Sequence, residues 1–482
     1  MSKKFDDFKN HIYDEKAFCP HPWVSFYPSP RGEVYPCCVS MKYEAPSKVR
    51  EDNDVQKMMN TPQFNMMRTN MINGVRPSSC GDCWQREDRG VESDRLITLD
   101  RYVRDGQNHS EKCATALEEA VANTNSDGSI DDFKISYLEF RDNNICNYRC
   151  RFCNINSSNS WIKEFREQAW NPKTESYAGS RMVDGLNMKT GVSESGIDWN
   201  EIDLSHIVDI HMAGGEPTAM DSTYLMLEKL EAQGRNHEIN VGIISNTSRL
   251  EYKKKRILDL LAKMKFVNWS VSLDGIGKIH DYLRSGGLDD WEKLDKNIWA
   301  VKDWTLERPE NRSMKFHSTM NWNNAFAWWD MFERYQDLQV NVFFSTGPDG
   351  TGINDLPNEQ IERIEKFYLG KRNIAPKQVD QILSFCEKSK VKNNKDLKQR
   401  MKRLARYKSE TIWLDKSRNQ YFVDVFPEWE DFFRSLPLYA DVNDGMWRTQ
   451  QLAEEIIQEP GMKEKYTSSK IEWWKELYND EG

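Results

Sequence analysis

The chain has 482 residues, which accommodates two or three domains with buried cores and excludes a small disulfide-held scaffold. With 38% hydrophobic and 30% charged residues it is neither a disordered tail nor a membrane protein, and its net charge of -9 argues against a general nucleic-acid binder relying on phosphate attraction. No apolar run of membrane-spanning length occurs and the start, MSKKFDDFKN, lacks a signal-peptide stretch, so a cytoplasmic protein is expected, in which the clustered ones among its ten cysteines serve as metal or redox groups rather than disulfides.

The first cysteine group spans Cys19, Cys37, Cys38, Cys80 and Cys83. A first thiolate, a hairpin with a turn at Gly32, a second thiolate and a distant C-x2-C can converge on one centre with four ligands. Structural zinc on the same thiolates is the competing reading. Pro20, Pro22 and Pro36 stiffen the loops, and Trp23 and Trp84 either shield the centre or belong to the core. Cys113 and Cys386 stand alone and read as small buried hydrophobes.

Alternating apolar positions in FKISYLEFR, residues 133 to 141, predict a strand that leads into CNYRCRFC. Cys146, Cys150 and Cys153 lie close enough on this loop to reach three corners of a 4Fe-4S cubane, leaving one iron without a protein ligand. Zinc would call for a fourth ligand nearby, and His206 and His211 are far along the chain. A second strand, 207 to 213, ends in Gly214-Gly215-Glu216-Pro217, where glycine admits a close ligand and a carboxylate can hold an ammonium. Strands at 239 to 248, 266 to 275, 313 to 321 and 338 to 346 follow, separated by helical stretches. Six such units predict a parallel sheet with helices outside and ligands at the strands' carboxyl ends.

These motifs resemble the radical SAM superfamily, whose signature is C-x3-C-x-aromatic-C, with Phe152 in the aromatic place. The resemblance implies an α/β fold: a partial (β/α)6 TIM-like barrel with a small N-terminal α+β domain and a helical C-terminal extension. It implies a SAM-binding 4Fe-4S cluster on Cys146, Cys150 and Cys153, and S-adenosyl-L-methionine contacts at Gly214, Gly215, Glu216, Asn246, Ser272 and Arg284. Thr247 stands where the family often has glycine, and Asp274 and Asp281 read equally as turn and helix caps. The first cysteine group resembles a twitch domain, a truncated SPASM domain, which implies an auxiliary 4Fe-4S cluster on Cys19, Cys37, Cys80 and Cys83. Gly32-x4-Cys37 favours Cys37 over Cys38. In most relatives that domain follows the barrel, whereas here it precedes it.

The expected units are residues 1 to 110 for the twitch-like domain, 130 to 350 for the barrel and 351 to 482 for the extension. The stretch between Cys153 and Gly214 is long enough to hold a lid or a surface insertion. The basic run between 391 and 408 reads as a solvated helix face or a grip for an acidic group, and the aromatic segment after it as a cover for the barrel's open side. The expected function is reductive cleavage of S-adenosylmethionine to a 5′-deoxyadenosyl radical that abstracts hydrogen from a peptide or protein side chain. The alternatives are a dehydrogenase of a small polyol, sugar or nucleotide, and a non-catalytic iron–sulfur carrier or sensor. Flavodoxin or ferredoxin is the implied electron donor. His211, His280 and Tyr282 lie near the motifs without a named catalytic role.

Overall fold

The computed structural model describes residues 17–42, 45–49, 54–88, 92–103, 110–171, 176–177, 185–288, 290–345, 350–438 and 447–467. Its centre is a nine-stranded sheet. We number the strands β1 (Ser25–Pro28), β2 (Glu33–Tyr35), β3 (Ser47–Lys48), β4 (Tyr137–Phe140), β5 (Asp209–Met212), β6 (Asn240–Ser245), β7 (Phe266–Ser272), β8 (Arg312–Met320) and β9 (Gln339–Phe344). From β4 to β9 each strand pairs in parallel with the next, so the six expected strands form the expected barrel sheet, each shorter than or offset by a residue from its sequence span. Burial alternates along β8, where Met314, Phe316 and Ser318 are buried and Lys315 and His317 are half-buried, because successive side chains point to opposite faces.

The N-terminal segment is not a separate lobe. Its β1 joins the barrel sheet in parallel with β4, pairing Ser25 with Tyr137 and Phe26 with Leu138. The predicted hairpin is present: β1 and β2 are antiparallel, and Gly32 turns between them at φ +74°, a conformation that suits glycine. Helices α1 (Gly81–Asp88) and α2 (Asp94–Tyr102) carry Cys83 and Arg101.

In the barrel, α3 (Ile162–Ala169), α4 (Asp221–Ala232) and α5 (Trp291–Leu306) follow β4, β5 and β7. The extension adds α6 (Pro376–Ser389) and α7 (Asn394–Arg418). Helix α6 covers the edge strand, with Gln381 donating to the Val342 carbonyl at 3.1 Å and Phe385 stacked on Phe344 at 3.9 Å. The aromatic segment packs on Trp322, just past β8, through Phe422, Trp429 and Phe432 at 5.1–5.7 Å, and on Tyr282. It thus packs against segments at the strands' carboxyl ends, while α6 protects the edge. The basic run is partly consumed inside the fold: Arg400 reaches the Leu356 carbonyl, Arg403 pairs with Asp355 at 2.5 Å, and Lys408 donates to the Arg434 and Leu436 carbonyls. No helix among the described residues is long and apolar enough to cross a membrane.

Candidate cofactor site

The cysteine loop leaves β4 and is braced from several sides. Asn144 donates to the Ile155 and Gly191 carbonyls at 2.7 and 2.8 Å, Asn159 accepts from the Cys146 amide at 3.0 Å, and Ser158 and Ser160 close the loop onto the Tyr148 and Cys146 carbonyls. Part of the long insertion takes part: the Ser193 amide donates to Asn144, and Ser195 and Trp199 donate to Asp142. Residues 185–200, part of the stretch where a lid or a surface insertion was expected, therefore brace the loop, while 172–175 and 178–184 of that stretch lie outside the described residues.

Helix α7 supplies the other wall. Asp415 pairs with Arg151 at 2.8 Å, and Arg418 donates to Glu164 at 3.2 Å and to the Arg149 carbonyl at 2.7 Å. Arg149 returns to Glu164 and to the Gly286 carbonyl. The extension, without a motif of its own, thus clamps the C-x3-C-x2-C loop. Sequence reasoning missed Asp415 and Arg418 because nothing local distinguishes them from the surrounding charges of an amphipathic helix.

Burial pushes the Cys146 thiol well above its ordinary range, with Cys150 and Glu216 adding to the rise, and pushes Cys153 up to about 12, aided by Cys150. Cys150 is raised by burial and opposed by Arg284. Three adjacent, half-buried thiols raised in this way do not all ionise unaided, so the site suits a cation that replaces their protons.

The Gly214–Pro217 turn presses on this loop. A Cβ on Gly215 would sit 2.1 Å from the Ile145 carbonyl oxygen, and Gly214 has φ +112°. Glu216 is buried and heavily engaged: its Oε1 accepts from the Thr218 amide, the Thr218 hydroxyl and the Ser245 hydroxyl, and its Oε2 from the Asn246 amide at 2.7 Å. It ties β5 to the end of β6. Asn246 donates to Asn147 of the cysteine loop at 3.1 Å. Thr247 adopts φ +59°, the conformation glycine would take, and is held there by Ser245, by the Trp269 indole and by Asn297.

Ser272 ends β7 opposite His317 of β8. Arg284 is buried, donates to Asp274 at 2.5 Å, and lies over the Phe152 ring at 5.2 Å. Its guanidinium is thereby positioned against the cysteine loop. Asp274 also accepts from the Thr319 amide, and Asp281 accepts within its own turn from Ser285, so both acids organise backbone. His280 and Tyr282 are buried, with Tyr282 donating to Asp415, whereas His211 is half-buried on the inner sheet face and lies 3.4 Å from Glu139.

The N-terminal thiols form a second site. Cys19, Cys37, Cys80 and Cys83 line one small cavity with His21, Asp94 and Arg95. Burial raises all four, with Cys80 pushed up to about 12, and the negative charges of neighbouring thiols add to it at Cys19, Cys37 and Cys80. Cys38 turns the other way and hydrogen-bonds to Glu139. Neither Trp23 nor Trp84 lines the cavity: Trp23 donates to Thr124 and Trp84 to the Pro77 carbonyl. Among the described residues, the group bringing three Cys, His, Asp or Glu ligand atoms within 4.8 Å of one another is His280, Asp281 and Asp290. Neither cysteine set adopts the sulfur spacing of about 3.8 Å that follows from a zinc–sulfur bond of about 2.3 Å.

The model of the radical SAM superfamily matches residues 142–302, and that of the SPASM iron–sulfur cluster-binding domain matches 19–84. No curated protein matches the chain. Among solved structures, anSMEcpe with bound AdoMet is 14% identical, with 59% of this chain and 67% of that chain covered at a TM-score of 0.30. The same protein with AdoMet and Cp18Cys peptide is 15% identical, with 48% and 58% covered at 0.29. TYW1 with a lysine-pyruvate adduct is 11% identical, with 48% and 70% covered at 0.24. The chain therefore spans little more than half of the peptide-bound structure it resembles. From the matched domains and the site they enclose, this chain carries a radical SAM domain preceded by a SPASM-type iron–sulfur domain that shares its sheet.

Proposed function

We propose that the chain is a radical SAM oxidoreductase acting on a C–H bond of a peptide or protein side chain. The observation that carries this reading is the convergence, at the carboxyl ends of β4 to β7, of a three-cysteine loop, a Gly-Gly-Glu turn pressed against it and a buried arginine beside it. When bound, a 4Fe-4S cluster on Cys146, Cys150 and Cys153 supplies the electron that cleaves S-adenosylmethionine to a 5′-deoxyadenosyl radical.

The chain's own residues then have distinct tasks. Glycine at 215 lets the turn approach the loop, Glu216 fixes the ends of β5 and β6, and Asn246 connects β6 to the loop. Arg284 offers a cation to the carboxylate of S-adenosylmethionine, and Ser272 a hydroxyl to its ribose. The units 1–110, 130–350 and 351–482 remain our division of the chain, and a flavodoxin- or ferredoxin-type donor our choice of reductant. A packed (β/α) barrel fills its interior with branched apolar side chains. Here the inner face is polar and half-buried, with Asn240, Asn268, Ser272, Ser313, Lys315 and His317, which supports a chamber for a polar substrate.

Oxygen-free protein reconstituted with iron and sulfide, given S-adenosylmethionine and dithionite, is expected to release 5′-deoxyadenosine. Replacing Cys146, Cys150 and Cys153 together with alanine is expected to abolish that release. No cleavage by protein whose clusters are spectroscopically intact would instead indicate an electron carrier.

A second expectation separates the adjacent cysteines. Cys37→Ser is expected to lower bound iron by up to about four per chain, the content of one cubane, whereas Cys38→Ser leaves it unchanged. Iron analysis decides this, and equal losses would contradict the orientation of the two thiols.

A further inference from the structure

One cation of the inner sheet face, Lys315, has no acid of its own, and the meaning of that rests on this face being the substrate chamber of the proposed function. Each of three carboxylates in or beside it has a cation of its own. Glu139 is held by Arg141 at 2.6 Å, with His211 at 3.4 Å; Asp209 is met by Arg101 at 3.4 Å; Asp274 is paired with Arg284 at 2.5 Å. Lys315 makes no hydrogen bond or ion pair among the described residues, and the charged group that acts on it is another cation, Arg101. Burial, reinforced by Arg101, lowers its pKa.

Strand register places Lys315 beside Ser270 of β7 and two pairs below the Ser272–His317 rung, on the same face of the sheet. An ammonium half-withdrawn from water and facing a second cation is stabilised by a bound anion. Phosphate is best met by a bidentate guanidinium, but Arg101 and Arg141 are engaged by Asp209 and Glu139, and Arg284, besides its pairing with Asp274, is the cation proposed for the carboxylate of S-adenosylmethionine. A lone ammonium with neighbouring hydroxyls suits a single carboxylate. We propose that Lys315 binds a carboxylate of the substrate, and that the substrate class is an acidic one: a glutamate- or aspartate-type side chain or a chain terminus.

The test needs no S-adenosylmethionine cleavage, so its failure is distinguishable from failure of the radical reading. Reconstituted protein is acylated with a trace of amine-reactive ester and Lys315 labelling is followed by peptide mass spectrometry, with exposed Lys278 as internal control. N-acetylglutamate N-methylamide is expected to slow labelling of Lys315 several-fold without affecting Lys278, and its glutamine isostere to have no effect. Equilibrium dialysis of the radiolabelled glutamate compound is expected to show binding by wild-type and Lys315→Arg protein and loss of binding in Lys315→Met. Equal protection by the two isosteres, no protection by either, or protection by N-acetylphosphoserine N-methylamide alone, assayed in parallel, would each overturn the proposal, as would undiminished binding by Lys315→Met.

Discussion

Replacing Asp415 with alanine is expected to cost about 3–5 kcal/mol of folding stability, the range for breaking a buried ion pair from one side. The carboxylate is fully buried in the last turns of α7 and accepts from the Tyr282 hydroxyl at 2.8 Å, the Tyr466 hydroxyl at 2.9 Å and the Phe422 amide at 2.7 Å. It also faces Arg151 of the cysteine loop at 2.8 Å, whose guanidinium lies 3.5 Å from the centre of the Tyr282 ring. Alanine leaves that guanidinium buried without its counter-charge and strands three donors at once. Urea unfolding followed by tryptophan fluorescence measures the loss. Because Arg151 sits between Cys150 and Cys153, iron retention by the loop is expected to fall as well. A change below about 1 kcal/mol, the scale of an exposed pair, would show that α7 does not clamp the loop.

The second large effect is a dependence on pH. Burial, with the Arg284 cation adding to it, holds the His280 imidazole down to about 3. The Asp290 carboxylate lies 3.9 Å from Nε2 but also accepts from the Tyr148 hydroxyl, and it does not offset burial. The unfolded chain binds the proton at about 6.5, so between these values it takes up more protons than the fold. The contribution is therefore complete above about pH 6.5 and drains away as the pH falls toward 3. At most it amounts to roughly 4–5 kcal/mol, at about 1.4 kcal/mol per pH unit. Stability curves of wild-type protein and His280→Gln from pH 7 to 4 isolate it from the carboxylates that titrate in both. The wild-type curve is expected to fall more steeply by about one proton's slope, and parallel curves would show that His280 is not buried in its neutral form.

Much of the site was legible because its chemistry is local in sequence. The spacing of Cys146, Cys150 and Cys153 lies within one loop, the Gly214–Pro217 turn follows its strand directly, and alternation along Phe266–Ser272 and Arg312–Met320 is written by the two faces of a strand. Gly32 likewise marks its hairpin turn. The choice between Cys37 and Cys38 was legible as a preference. What it could not contain was where the Cys38 thiol goes, since Glu139 lies on a strand about a hundred residues away.

The amino-acid sequence by itself determined the places of the six barrel strands, both cysteine sets and the turns beside them, because periodicity and short-range spacing act on neighbouring residues. Tertiary structure decided that β1 extends the barrel sheet, that α7 locks the cysteine loop through Asp415 and Arg418, that Glu216 is spent on hydrogen bonds within the fold, and that Lys315 is left without a carboxylate. Each of these is a pairing between distant segments, and a charged or polar residue reveals its role only when packing has assigned, or withheld, its partner.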